Sequence, residues 1–224
     1  MKHVTFILLI VTACFFVSPE APAAIVGFTG IIDDKGSNTS GALDAIDVAD
    51  VITGWFSYDA GSAVDSNPGE VVGQYSFNSS NSALGVTVYD ASNNHSVILD
   101  ETGFLNSILI TNNWPDPEYP RIDGYNPSGE FGWNSETINI YLYFQNRDSG
   151  LDIIDSDVLL DSPPPFEQLN FTRGMLQNDE YSWYNVSFDI TSAQVVPLPS
   201  SLTFLTSSLL ALFLPGIWRR IFLR

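Results

Sequence analysis

The chain is 224 residues long and carries 26 acidic residues against eight basic ones, two histidines and one cysteine. A formal net charge of −18 repels nucleic acid, which is therefore not an expected partner. His3 and Cys14 lie within residues 1–23, and the single histidine and absent cysteine of the rest are too few for a His/Cys zinc site.

Residues 1–23 read as a secretory signal peptide. Lys2 supplies the positive start, and Val4 to Val17 is an apolar run of 14 residues, short for a membrane span. Ala21-Pro22-Ala23 is a small-x-small cleavage site, so the mature chain is expected to begin at Ala24. Val11-Thr12-Ala13-Cys14 also fits a bacterial lipobox, and lipidation of Cys14 is the alternative. The apolar run continues past Cys14 through Phe15, Phe16 and Val17, which favours cleavage after Ala23. Cleavage removes the only cysteine, and the exported part then folds on packing alone.

Residues 24–200 hold 25 of the acidic residues and only Lys35, Arg121, Arg147 and Arg173 as bases. The hydrophobic period here is two. Ile52, Gly54, Phe56 and Tyr58 form one alternating face, and Val71, Gly73, Tyr75 and Phe77 another. Ile138, Ile140, Leu142 and Phe144 do the same, as do Tyr184, Val186, Phe188 and Ile190. Shorter runs rich in Val, Ile, Phe, Tyr and Thr lie at 26–32, 84–89, 96–99, 107–111, 151–160 and 166–172. Turn clusters such as Ser66-Asn67-Pro68-Gly69 and Ser92-Asn93-Asn94 separate them. The expected fold class is all-β, a single antiparallel β-sandwich of jelly-roll or Ig-like type over 24–190. Ser40 to Val51 suits a short helix. The proline- and glycine-bearing stretch 112–136 and the Asp-Ser-Pro-Pro-Pro of 161–165 read as loops, and 191–200 as a linker.

The inventory offers little catalytic chemistry. His95 is the only histidine after the leader and follows Asn93-Asn94 in a turn. No Gly-x-Ser-x-Gly elbow or phosphate-cradling Gly-x-x-x-x-Gly-Lys loop is present. A carboxylate-dependent hydrolase would need two residues from Glu70, Glu101, Glu118, Glu130, Glu136, Glu167 and Glu180 to converge, and nothing in the sequence pairs them. No enzyme activity and no cofactor are expected. If calcium bound, Asp152, Asp155 and Asp157 would be its ligands, because hard loop oxygens suit that ion. A glycan-binding module would use Trp114 and Trp133 as stacking faces; the alternative is that both anchor their loop to the core.

The tail carries the strongest signal. Val196-Pro197-Leu198-Pro199 is followed by an uncharged run, 201–218, and then by Arg219, Arg220 and Arg224. As a helix the 18-residue run spans roughly 27 Å, close to the hydrocarbon thickness of a bilayer. It is expected to be a transmembrane helix, with 219–224 a basic cytoplasmic end. Motif, apolar run, double arginine and position together resemble the PEP-CTERM sorting signal, with Leu198 where that family has glutamate. The resemblance implies an exported bacterial surface or extracellular-matrix protein. Its precursor would be anchored in the inner membrane, and an exosortase-like protease or transpeptidase would act near Pro197–Pro199. It also implies a structural or interaction role beside exopolysaccharide in biofilm.

Overall fold

The computed structural model describes residues 24–36, 41–67, 71–93, 95–116, 118–119, 121–147, 151–160, 162–178 and 185–196. Its strands are β1 (Ala24–Lys35), β2 (Val51–Tyr58), β3 (Val64–Asp65), β4 (Val72–Ser76) and β5 (Ser82–Asp90) in the first half. The second half adds β6 (Ser96–Trp114), β7 (Ile122–Trp133), β8 (Glu136–Arg147), β9 (Phe171–Asn178) and β10 (Asn185–Val196). All neighbouring strands are antiparallel.

The expected β-sandwich is not what forms. Strands β6-β5-β2-β1-β10-β9-β8-β7 run in that order, and β6 also pairs with β7, so eight strands close into one barrel. Two ladders make the closure. β1 pairs with β10 from Ile25↔Val196 to Lys35↔Val186, and β6 pairs with β7 from Gly103↔Phe131 to Trp114↔Ile122. Strand alternation is common to sandwiches and barrels. What separates them is whether the last strand meets the first, and here it does. With β3 and β4 set aside, every neighbour in the ring except the closing β1–β10 pair is also a neighbour in sequence, which is an up-and-down barrel.

Strand β6 makes the arrangement possible by its length of 19 residues. On one edge it pairs with β5 through Ser96–Gly103 and then with β4 through Ser107–Thr111. Its other edge takes β7, with irregularities between Leu105 and Ser107 and between Thr111 and Trp114. Such bulges bend a strand and let one edge serve two partners. The β3–β4 hairpin is thus an insertion between β2 and β5.

Inward residues fill the lumen. Val26, Phe28, Ile52, Phe56, Leu84, Val86, Ile140, Leu142, Leu176 and Phe188 are all buried. Phe56 of β2 lies 6.4 Å from Tyr125 of β7, and Tyr125 lies 6.3 Å from Phe144 of β8. Because β2 and β7 are on different sides of the ring, the Phe56–Tyr125 contact crosses the interior. At one rim, Ala42, Leu43 and Ile46 cover the opening.

Glycines make room for the rings. Phe28 is directly opposite Gly54, and Phe188 is directly opposite Gly174. A Cβ on Gly54 would overlap the Phe28 ring, and one on Gly174 the Phe188 ring. On the outer surface Trp55 covers Gly85 in the same way. Each ring lies across the backbone of its neighbour strand and shields it, a pairing that pins register.

Several sequence expectations change. The stretch 112–136 is not a loop: β7 occupies Ile122–Trp133. Pro127 is tolerated there because the β7–β8 ladder is interrupted between Tyr125↔Phe144 and Ser128↔Tyr141, where the missing N–H costs no bond. The stretch 151–160 is not a strand. It lies irregularly across a rim with Ile154 buried. The expected helix over 40–51 shrinks to a 3-10 turn at Gly41–Ala45. The expected linker begins later than 191, because β10 runs to Val196. Among the described residues no helix is long and apolar enough to cross a membrane. The expected transmembrane helix, 201–218, lies outside the described residues.

Candidate functional site

Strand direction fixes two rims. At the terminal rim β1, β5, β7 and β9 begin and β2, β6, β8 and β10 end. At the other rim β1, β5, β7 and β9 end and β2, β6, β8 and β10 begin.

The segment 151–160 closes the terminal rim, and its attachment is built from polar groups of three strands. Asp123 of β7 is almost wholly buried. Its Oδ1 accepts from the backbone N–H of Asn113 at 2.7 Å, and its Oδ2 accepts from that of Ile153 at 3.0 Å. Asn113 has φ 53, so Asp123 also secures a left-handed residue at the end of β6. The Tyr75 hydroxyl donates to the Asp157 carbonyl at 3.0 Å. Inside the lumen the Tyr125 hydroxyl donates to the Tyr58 hydroxyl at 2.8 Å, and Tyr58 donates to the carbonyl of Leu160. Burial pushes the Tyr125 phenol well above its ordinary range, so it stays a neutral donor. Tyr125→Phe is expected to lower stability by about 1 kcal/mol, read as a lower denaturant midpoint at unchanged slope.

This segment is where the candidate calcium ligands Asp152, Asp155 and Asp157 lie. Asp152 pairs with Arg121 at 3.1 Å. Asp157 gives its carbonyl to Tyr75. Asp155 is exposed. Among the described residues no group of three or more His, Cys, Asp or Glu is placed to hold a metal ion.

The outer face beside this rim is polar and aromatic. Gln145 Nε2 donates to Asn126 Oδ1 at 2.7 Å, and Arg147 Nε donates to Gln145 Oε1 at 2.8 Å. The Arg147 guanidinium lies between the Phe171 and Tyr119 rings, 3.3 Å and 5.0 Å from their centroids. Among the described residues the buried side-chain atoms without a partner are Thr111 Oγ1, Arg121 Nε and Asn146 Oδ1. Register places all three around Asp123 and Gly124: Thr111 is opposite Gly124, Asn146 is opposite Asp123, and Arg121 precedes β7. On sequence alone Asn113, Asp123 and Asn126 fall in the expected loop 112–136, and none of them is singled out.

The two candidate stacking tryptophans are not brought together. Trp133 ends β7 at the far rim and is 8 % exposed, whereas Trp114 ends β6 at the terminal rim and is 43 % exposed. They form no common platform. His95 is an exposed turn residue at φ 55. A depression of about 230 Å³ on the outer face is lined by Thr102, Gly103, Phe104, Glu130, Phe131, Gly132 and Thr137. Its one carboxylate, Glu130, accepts from Asn106 Nδ2 at 3.1 Å. Glu136 is elsewhere, accepting from the backbone N–H of Ala42 at 3.2 Å and from Asn178 Nδ2.

The residues of the expected cleavage and sorting motifs lie in sequence at the two ends of the terminal ladder. Ala24 is the first residue of β1 and Val196 the last of β10, and Ile25 faces Val196 across the sheet. Ala21, Ala23, Pro197, Leu198, Pro199, Arg219 and Arg220 lie outside the described residues. No protein-family model matches the chain, and no curated protein or solved structure matches it.

Proposed function

We propose that this is an exported surface protein whose barrel is delivered through its C-terminal signal and serves a structural or interaction role outside the cell. The observation that carries the reading is the tail. Val196 ends the last strand, and Pro197-Leu198-Pro199, the uncharged run 201–218 and the basic end with Arg219 and Arg220 come after it in the sequence. Position matters as much as composition. A sorting signal has to be reachable once its domain has folded, and here the motif begins at Val196, the last described residue of β10.

The barrel's own character fits this role. Its lumen is filled with side chains rather than shaped as a cleft. Its acidic balance keeps an extracellular surface well solvated. In this reading the precursor is held at the inner membrane by the tail until an exosortase-like protease or transpeptidase acts near Pro197–Pro199. The barrel then reaches the surface or the matrix beside exopolysaccharide.

Mass spectrometry of the protein recovered from the surface of producing cells tests this. The expected mature chain begins at Ala24 and lacks everything beyond the Pro197–Pro199 region. Mature surface material that retains Arg224 would sink the reading, and a lipidated Cys14 would replace the amino-terminal part of it.

A further inference from the structure

The outer face of β1, β2 and β5 is uncharged in a strongly acidic domain. Inward positions such as Val26, Phe28, Ile52, Phe56, Val86 and Val88 are buried, so the residues between them point outward. From Ile25 to Ile31 on β1, Val51 to Ser57 on β2 and Ala83 to Tyr89 on β5, none of the outward residues carries a charge. In register, Asp100 of β6 stands opposite Thr87, and Asp189 of β10 opposite Ile31. Acids thus border the face without entering it.

Two rows run side by side across it. In one, Ser192, Thr29, Thr53, Thr87 and Asp100 lie directly opposite one another on successive strands, about 4.8 Å apart from strand to strand. Thr87 Oγ1 donates to Asp100 Oδ1 at 2.8 Å. Among the described residues nothing hydrogen-bonds the side-chain hydroxyls of Thr29 and Thr53. Each is both a donor and an acceptor left for solvent or a ligand. In the other row Trp55 stands between Gly27 and Gly85. A Cβ on Gly85 would run into Trp55 Nε1 and lie 2.7 Å from its Cε2, so the indole leans across that glycine onto the sheet. Gly27 has no side chain to wall in the other flank. The ring covers Gly85 and is still 38 % exposed.

An indole laid along a sheet beside free hydroxyls matches the chemistry of a sugar. The C–H face of a pyranose packs on the indole, and its hydroxyls exchange hydrogen bonds with the threonines. Charge then selects among partners. An acidic polymer, an anionic lipid surface or a second copy of this chain would bring like charge to a domain whose balance is already negative. A neutral glycan brings none. We propose that the outer face centred on Trp55, with Thr29, Thr53 and Thr87, binds an uncharged polysaccharide. Trp55 supplies the stacking surface and the threonines set the orientation of the sugar. Both rows stand on strands paired along both edges, so the site is held in place before a ligand arrives. It uses neither Trp114 nor Trp133, and it does not depend on how the tail is processed.

Native electrophoresis of the full chain through gels containing a soluble polysaccharide tests this. The neutral probes are hydroxyethylcellulose, mixed-linkage β-glucan and galactomannan, and the acidic probes are polygalacturonate and alginate. At least one neutral probe is expected to retard the native protein, and neither acidic probe. Trp55→Ala should weaken the apparent affinity roughly tenfold or more. Because Trp55 also covers Gly85, a second variant keeps the ring. Thr53→Asp places a charge beside it at an outward position and is expected to weaken binding comparably. Trp114→Ala, at the terminal rim, should bind like the native protein, and denaturant unfolding of each variant shows that it is folded. Retardation by no neutral probe, or by the acidic probes as strongly as by the neutral ones, overturns the proposal. So does native-like binding by both Trp55→Ala and Thr53→Asp, or an equal loss in Trp114→Ala. A concentration-dependent dimer of the native chain that Thr53→Asp dissolves would give the face to a second copy and overturn it as well.

Discussion

Gly174→Val is expected to destabilise the barrel by about 3 kcal/mol and to lower its melting temperature by about 6–12 °C. Phe188 lies flat over Gly174 from the directly opposite position on β10, and any Cβ at 174 would enter the ring. The ring has no room to retreat. It is fully buried, and Phe28 stacks on it with centroids 6.3 Å apart and planes 13° from parallel. Phe28 in turn covers Gly54. A side chain at 174 therefore has to displace two rings or bend β9 away from β10. The comparison is Gly132→Ala on β7, where an added Cβ meets nothing within 4 Å. That change should stay within about 0.5 kcal/mol of the native protein. Thermal unfolding of both variants checks the pair. Equal melting temperatures would show that ring-over-glycine packing does not hold the barrel's register.

Asp123→Ala is expected to cost about 3 kcal/mol, by a different route. The carboxylate accepts two backbone N–H groups from separate parts of the chain, Asn113 at the end of β6 and Ile153 in the segment over the rim. Removing it leaves both part-buried donors short of a partner, and each such loss costs roughly 1–3 kcal/mol. Asp123→Asn retains an acceptor oxygen and should lose about half as much. The distinguishing readout is local. Proteolysis within 151–160 should rise sharply in Asp123→Ala, because Ile153 is one of the points at which this segment is tied down. A fall in stability without that change would mean that Asp123 acts only inside the sheet.

Much of the barrel was legible in the sequence, and the reasons are physical. A period of two in Ile138–Phe144 and Val186–Ile190 reports one buried face, and those faces line the lumen. Closure was not legible, because alternation says nothing about which strand meets which. It rests on Val26↔Val195 and Leu109↔Asn126, pairs that lie far apart in the chain or turn on the bulges of β6. Strand β7 was hidden for another reason. Gly124, Pro127, Gly129 and Gly132 are turn residues by propensity, yet here tertiary contacts use them. Gly124 faces Thr111 and Gln145, and Gly129 packs under Leu84 and Leu105. The apolar residues of 151–160 misled in the opposite direction, since Ile154 is buried by covering a rim and not by joining the sheet. At the candidate site, the tail motif was plain in the sequence, but the ladder that ends beside it was not.

The pairing of the first strand with the last also has a consequence in time. A chain is made from its amino end, so β1 is complete long before β10 exists. Its Ile25–Lys35 edge must wait for residues 186–196 to appear before it finds its partner. Contacts this distant in sequence require a large loop to close before they stabilise anything, which makes such topologies slow to fold. The barrel is therefore a late, all-or-none event. Nearly the whole domain has to be synthesised before its first strand is satisfied on both sides, and until then that edge is the chain's principal exposure to mispairing.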